Sequence, residues 1–550
     1  MSYHMRSVVV RVVACALVFG SAAAEAMTAR GDVPVPRPAP RAGAASAGDT
    51  VMMGSFSAAG HFAGRAMAPV HGPALPMRLA IQRELTVDVS LPVAQFYERR
   101  GYRPVWTDGK ADAALRRLAA AAGDGLDPAD YRLSPDLSPA ARDVTLTELV
   151  LAYARDAHSG RVRPQSISRI VTMEPPVLDE AHVLRRLGLG ADPVRVMESA
   201  HPQHGQYQQL REALRVALET PTVDVPRVGS GPHLKRGDRS SRVAILRARL
   251  GATVMRGNDP TVFGDDLADA VKAFQRANGL GADGIVGPRT IAALDGVVDG
   301  DPVPELISNL ERWRWLPRDL GEHHVRVNIP AFRVRVVTDG AIDYDGRVIV
   351  GTPSNPTPVF SDVIEHVVVN PYWNVPYSIA KNEMLSGIRA NPSGYFARRG
   401  YEAVVNGRVV NPASISWDAA TLRRVRVRQK PGRGNALGSV KFLFPNKHAV
   451  YLHDTTTKHL FKRDRRAYSH GCVRVDQPFV FADALLREEG ELTGAGLKRM
   501  VGGKQRWLNL KRTIPVHLTY FTREVAPDGT LKRYADVYGY DARTQKQLGL

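Results

Sequence analysis

Apolar side chains recur with two different periods along this 550-residue chain, and the change of period divides it. From Ala111 to Ala122, Leu and Ala alternate with Arg at helical spacing, and Gly123 follows as a stop. Leu146 to Ala157 repeats the pattern and runs into Ser159-Gly160. These segments predict a mostly helical region over residues 79–225, a scaffold by default, since it holds no catalytic signature. A smaller unit follows at 232–296. Val243 to Leu250 and Asp266 to Asn278 are predicted helices, the second closed by Gly279, and a third short helix is expected over Thr290 to Leu294. From about residue 323 the period becomes two. Val325 to Ile329, Phe332 to Thr338 and Val363 to Asn370 alternate apolar and polar side chains, punctuated by Gly340, Gly346, Pro353 and Pro358. Lys441 to Phe444, Ala449 to Leu452 and Ile514 to Phe521 continue the strands, and Pro478 to Glu488 reads as a helix. Residues 377–429 are irregular and polar, and are expected to be an insertion, a lid over a site. The predicted fold is multidomain α+β: a helical scaffold, a three-helix unit, and a mostly β domain over 302–545.

Composition changes the picture at the start of the chain. Arg6 and Arg11, the apolar run Val12 to Phe19 and Ala24-Glu25-Ala26 fit an export signal over 1–26. Val12-Val13-Ala14-Cys15 also has the look of a lipobox, but Arg11 leaves almost no apolar core before Cys15. Residues 27–78 are rich in Ala, Pro and Gly and are expected to be a disordered tether. The expected destination is outside the cytoplasm. With 44% hydrophobic and 23% charged residues, the whole chain has the balance of a soluble globular protein. The net charge of +19 points to a polyanionic neighbour. No zinc spacing, phosphate loop or basic heptad helix accompanies it, so nucleic acid is not an expected partner. No metal or cofactor is expected, and the chain is read as a monomer.

Only two cysteines occur, Cys15 and Cys472. Removal of a signal would leave Cys472 as a lone thiol in an oxidising compartment, either reactive or a buried passenger. Its surroundings favour reactivity. His453-Asp454-Thr455 follows an apolar strand, and Ser469-His470-Gly471-Cys472-Val473-Arg474 comes after it. Acyl transfer through a thiol needs a base near the sulfur, a group to orient that base, and N–H donors for the oxyanion. Gly471 permits a tight turn, and the amides of Gly471, Cys472 and Val473 are candidate donors. Lys462, Arg463, Arg465, Arg466 and Arg474 surround the thiol in sequence and would favour thiolate. His453 and His470 compete as base, and His453 is preferred because its strand could pair beside the loop.

The segment His453 to Arg474 resembles the signature of the L,D-transpeptidase (YkuD-like) family. Asn309 to Pro317, Val327 to Pro330, Val350 to Pro353, Asn370 to Pro376, Asn435 to Gly438 and Phe444 to Asn446 are similar to its large periplasmic subfamily with an N-terminal scaffold. Arg103 to Trp106 and Gly125 to Pro128 match the scaffold region. The unit at 232–296 resembles a peptidoglycan-binding domain through Leu234, Gly237, Val271, Phe274, Gln275, Asp283, Gly284, Gly287 and Thr290. The resemblance implies a transpeptidase acting on peptidoglycan stem peptides and glycan strands. It makes Cys472 the nucleophile and His453 the base, oriented by the backbone carbonyl of Asp454. It places His470 and Gly471 in the oxyanion region. Arg474, Trp373 and the Asp454 side chain become candidate substrate contacts. A sortase-like enzyme would place its His much farther from the Cys, and a papain-like one would reverse their order. A non-catalytic wall-binding protein is disfavoured by the intact His453, Gly471, Cys472 and Arg474.

Overall fold

A computed structural model describes residues 75–85, 89–220, 226–252, 259–278, 280–298, 301–490 and 492–550. The predicted export signal lies outside these residues, as does the tether up to residue 74. The helix Leu75–Glu84 begins inside the stretch predicted as tether. Its Ile81 is fully buried, which the Pro-rich composition just before it concealed.

The scaffold is helical. Helices Leu91–Arg99, Asp108–Ala119, Pro139–Ser159, Glu180–Gly188 and Pro193–Ala200 pack around Tyr97, Leu118, Leu146, Tyr153 and Met197. The second of these ends at Ala119 and is capped by Ala120, before Gly123 is reached. Gly123 lies within a 3₁₀ turn, and Gly125 is the residue at φ 71°, where a Cβ is disfavoured. Helix Gly205–Glu219 leaves this core. Its Tyr207, Leu210 and Leu214 pack instead with the β domain and with helix Val303–Arg314.

The small unit holds helices Ser241–Arg249, Asp265–Ala277 and Pro288–Val298 around Val243, Leu246, Leu267 and Val271. Its sequence-matched residues are core and turn positions. Gln275 is buried and donates to Asp283 Oδ1, the Ile285 carbonyl and Thr290 Oγ1, while Gly284 N–H donates back to its Oε1. Asp464 of the β domain accepts from Gly281 N–H at 3.3 Å and pairs with Arg289 at 3.1 Å.

The β domain begins with β1 (His323–Asn328), β2 (Arg333–Thr338), β3 (Ala341–Gly351) and β4 (Phe360–Val369). Gly346, predicted as a break, lies inside β3. The insertion follows with β5 (Trp373–Asn374), β6 (Tyr401–Val405), β7 (Arg408–Val410) and β8 (Arg426–Gln429). The chain then returns through β9 (Val440–Leu443), β10 (Leu452–His453), β11 (Ala467–Ser469), β12 (Val473–Val475) and β13 (Arg506–Thr519). Nine strands form one sheet in the order β11-β3-β12-β10-β9-β4-β13-β1-β2. Because β3 also pairs with β2, the sheet closes on itself. One face is packed by helix Pro478–Leu485, where Phe481 meets Phe442 edge to face at 4.9 Å.

The insertion is a small ordered unit rather than irregular chain. Its sheet runs β5-β8-β6-β7, and Ile388, Phe396, Ala403, Trp417 and Val427 fill its own core. Short strands spaced by Arg-rich helices gave no sustained period to read.

Candidate active site

Strand register assembles the site. β10 runs parallel to β12 with Leu452 opposite Val473 and His453 opposite Arg474. Side chains alternate along each strand, so Tyr451, His453, Cys472 and Arg474 all emerge on one face. β9 adds Lys441 opposite His453 on that same face. Leu452, Phe442 and Val473 point the other way, into the core.

His453 is buried, and its Nδ1–H donates to the carbonyl of Asp454. A carbonyl only accepts, so this bond places the proton on Nδ1 and leaves Nε2 unprotonated, the form a general base needs. Burial pushes the imidazole down to about 3, and the Arg474 guanidinium adds to the shift. The ring is therefore neutral at neutral pH. The Asp454 carboxylate is not turned toward it. It accepts from Ser439 N–H at 2.9 Å, from Thr455 N–H at 2.7 Å and from Lys458. Asp454 thus orders the loop with its side chain and the histidine with its backbone, and its carboxylate is not placed as a substrate contact.

Cys472 is half-buried and a free thiol. Burial pushes it up to about 11. The backbone and hydroxyl of Tyr451, together with Arg474 and Lys441, pull the other way without overcoming that. The resting pair is a neutral thiol with a neutral imidazole. Of the cations expected around the thiol, only Arg474 acts on it. Lys462, Arg463 and Arg465 are exposed, and Arg466 donates to the carbonyls of Val348, Phe332 and Arg463. Nearness in sequence was not nearness in space.

The nucleophile loop is held from several sides. Gly471 sits at φ 113°, a conformation that demands glycine. Its carbonyl accepts from Thr357 Oγ1 at 2.8 Å. Thr357 N–H in turn donates to the Tyr538 hydroxyl, which donates to the Gly351 carbonyl. Of the three amides expected as oxyanion donors, two are engaged internally. Gly471 N–H donates to Ser469 Oγ at 3.1 Å, and Val473 N–H donates to the Tyr451 carbonyl at 3.1 Å. The Cys472 N–H has no protein partner among the described residues, and it is the amide available to an oxyanion. Gly471 therefore serves by its conformation.

His470 stands apart from the thiol face. It is exposed, and its Nε2 lies 2.7 Å from Glu383 Oε1 in the insertion. It joins the nucleophile loop to the insertion and is not placed as a base or oxyanion donor. Trp373 packs on the rim of the insertion's core, 6.4 Å from Tyr401 between ring centroids. It is half-buried and packs with that unit. Arg474 donates to Thr457 Oγ1 at 3.1 Å, while its Nε is buried without a partner. It remains available to an anionic group.

Tyr451, Lys441, Thr357, Tyr538 and Glu383 were missed in the sequence. Tyr451 was recoverable, since it stands two residues before His453 on a strand and so shares its face. The others depend on strand register or long-range contact, which spacing does not carry. Among the described residues, one trio could gather around a metal, Asp124, Glu198 and His201 in the scaffold. Arg117 and Arg211 already neutralise it.

Comparison with known proteins gives matches to three domain families. Residues 322–491 match the family described as "L,D-transpeptidase catalytic domain". Residues 92–214 match "Scaffold domain", and residues 240–294 match "Putative peptidoglycan binding domain". The chain is 37% identical over 241 residues to a Haemophilus influenzae protein named "Putative L,D-transpeptidase". That match covers 43% of this chain and spans about half, 48%, of the relative's length. Similar solved structures include an L,D-transpeptidase from Xylanimonas cellulosilytica, 16% identical, covering 53% of this chain and 98% of that one with a TM-score of 0.16. Another is an L,D-transpeptidase from Stackebrandtia nassauensis, 15% identical, covering 53% and 96% with a TM-score of 0.20. In chain order, the matches are therefore to a scaffold domain, a peptidoglycan-binding domain and an L,D-transpeptidase catalytic domain.

Proposed function

We propose that the chain is an L,D-transpeptidase that forms 3→3 cross-links in peptidoglycan through a Cys472 acyl-enzyme. The observation that supports it best is the shared face of Cys472 and His453, with His453 Nδ1–H bound to the Asp454 carbonyl and Nε2 left as acceptor. In the first half-reaction Sγ attacks the carbonyl at the L-centre of the diaminoacyl–D-alanine bond. His453 Nε2 takes the thiol proton, and the Cys472 N–H donates to the oxyanion. The C–N bond breaks, His453 returns the proton to the departing amine, and D-alanine leaves a thioester. In the second half an amine of another stem attacks the thioester. His453 takes its proton, and the thiol is restored.

Neutral partners suit this sequence. The thiol loses its proton as the C–S bond forms, so no standing thiolate is needed. Water in place of the amine would give L,D-carboxypeptidase action, and a protein lysine would give attachment to the wall. Export to the periplasm and a wall-binding role for residues 232–296 belong to the same reading. A muropeptide digest of wall incubated with the protein, read by mass spectrometry, tests it. The expected products are 3→3 dimers and free D-alanine. Tripeptides alone would replace cross-linking with carboxypeptidase action, and an unchanged wall would sink the proposal. A carbapenem is expected to add once per chain at Cys472, seen by intact mass and absent from Cys472→Ala.

A further inference from the structure

The register places Trp507, Val368, Lys441, His453 and Arg474 in one row across β13, β4, β9, β10 and β12. Lys441 stands in the middle of that row, one strand from the base. Its Nζ lies 5.4 Å from the ring centroid of Tyr451 and 5.4 Å from that of Trp507. Two aromatic faces hold the ammonium in place by its charge. They do not neutralise it, and among the described residues no carboxylate pairs with Lys441. The acid just after β10, Asp454, is occupied by Lys458 and two backbone amides. The second cation of the row, Arg474, is likewise without an acid, and its Nε is unpartnered.

Lys441 is half-buried, so keeping it charged and unpaired beside a neutral thiol carries a desolvation cost. Burial lowers its basicity, and the only group that opposes this is Cys472. Trp507, at 52% exposure, marks the side of the row that opens to solvent. A ligand entering there meets a fixed ammonium before it reaches the sulfur. The missing counter-charge is an anion small enough to lie between an indole and a phenol, and stem peptides carry carboxylates.

We propose that Lys441, clamped between Tyr451 and Trp507, is a specificity-determining residue that binds a carboxylate of the donor stem and sets its scissile carbonyl over Cys472. This rests on the transpeptidase reading above. Two carboxylates have the required chemistry, the terminal one on the departing D-alanine and the one on the diaminoacyl residue.

The test compares three soluble tetrapeptide stems: one with both carboxylates free, one amidated at the terminus, and one amidated on the diaminoacyl carboxylate. D-alanine or D-alaninamide release gives kcat and KM for each. With the wild-type protein, one amidated stem should lose about tenfold or more in kcat/KM, mainly through KM, the scale of a charged hydrogen bond. Whichever stem loses identifies the carboxylate. Lys441→Met should bring the free stem down to that same level and lose nothing further on that amide. Lys441→Arg should restore much of the preference. The melting temperature should be the same in wild type and Lys441→Met, showing that the fold is intact. Because Lys441 also favours ionisation of Cys472, any fall in its alkylation by neutral iodoacetamide should be smaller than the fall in kcat/KM on the free stem.

The proposal is overturned if the wild-type protein treats all three stems alike. It is overturned too if Lys441→Met slows all three in proportion, or slows iodoacetamide to the same extent, since Lys441 would then serve the thiol or the fold. If the wild-type protein releases nothing from any stem, the transpeptidase reading itself falls.

Discussion

Around Asp124 in the scaffold, buried charges meet opposite ones; around Cys472, two cations meet none. Asp124 pairs with Arg117 at 2.7 Å and Arg211 at 2.5 Å, and Glu198 closes the group from the side. Tyr153 donates to the same carboxylate at 2.8 Å, and Arg314 donates to its backbone carbonyl. Burial works against the charge of Asp124, yet His201, Arg117 and Arg211 hold its carboxyl well below the usual range. That network is complete without any ligand, and it ties the scaffold to helix Val303–Arg314. On the catalytic face, Lys441 and Arg474 are left open beside a thiol and an imidazole that are both neutral. Charge that is closed fixes a structure, whereas charge left open waits for something to arrive.

The comparison breaks first at the sulfur. Cys472→Ala should abolish D-alanine release while leaving the melting temperature unchanged; residual turnover near the wild-type rate would place the nucleophile elsewhere. His453→Ala should cost about 10²–10⁴ in kcat/KM, the usual scale for a general base. A variant within tenfold of wild type would remove His453 from that role. The scaffold should respond in stability rather than in chemistry. Asp124→Ala removes the buried partner of Arg117 and Arg211 and leaves them only the partly exposed Glu198. It should cost about 3 kcal/mol in denaturant unfolding, the lower end for breaking a buried pair. Where the variant is still folded, its Cys472 should alkylate at the wild-type rate.

Acidity sharpens the contrast further. The thiol lies at about 11 rather than its ordinary 9.0, so the thiolate fraction, and alkylation by iodoacetamide with it, should still be rising between pH 9 and 11. A plateau near pH 8 would mean a standing ion pair. His453 is held at about 3, below its ordinary 6.5. Between those values the unfolded chain takes a proton that the folded chain refuses. Stability contributed by this site is therefore intact above about 6.5 and is lost as pH falls toward 3. His453→Gln should flatten that part of a stability-versus-pH curve. The smallest effect is expected at the insertion. His470→Ala or Glu383→Gln removes an exposed pair, usually worth at most about 1 kcal/mol, so turnover should change by no more than about fivefold.

Local patterns carried much of the architecture. The helical period at Leu146 to Ala157 and the alternation at Val325 to Ile329 each show one side of an element facing a core, which a single sequence displays. That His453 could share a face with Cys472 was legible because the apolar strand before His453 could pair beside the loop. The misreadings came where three-dimensional pairing decides. Lys462, Arg463 and Arg465 stand close to Cys472 in the chain but turn outward, while Lys441, 31 positions before it, reaches the same face through two strand pairings. His470 sits two residues from the thiol, yet the turn at Gly471 sends it to the insertion. The insertion itself looked irregular because its strands are short and its core is small.

The bond from Thr357 to the Gly471 carbonyl, backed by Tyr538, bears on timing. Tyr538 follows Cys472 by 66 positions, so the loop that presents the thiol is braced by a stretch synthesised well after it. Domains generally fold as their chain emerges, the N-terminal parts first. Scaffold and wall-binding units could then be complete while the nucleophile loop still lacked its support. A chain caught part-way through synthesis or export would hold its sulfur on an unbraced turn. Acylation competence would arrive as one of the final events of maturation, after the surrounding protein had taken shape.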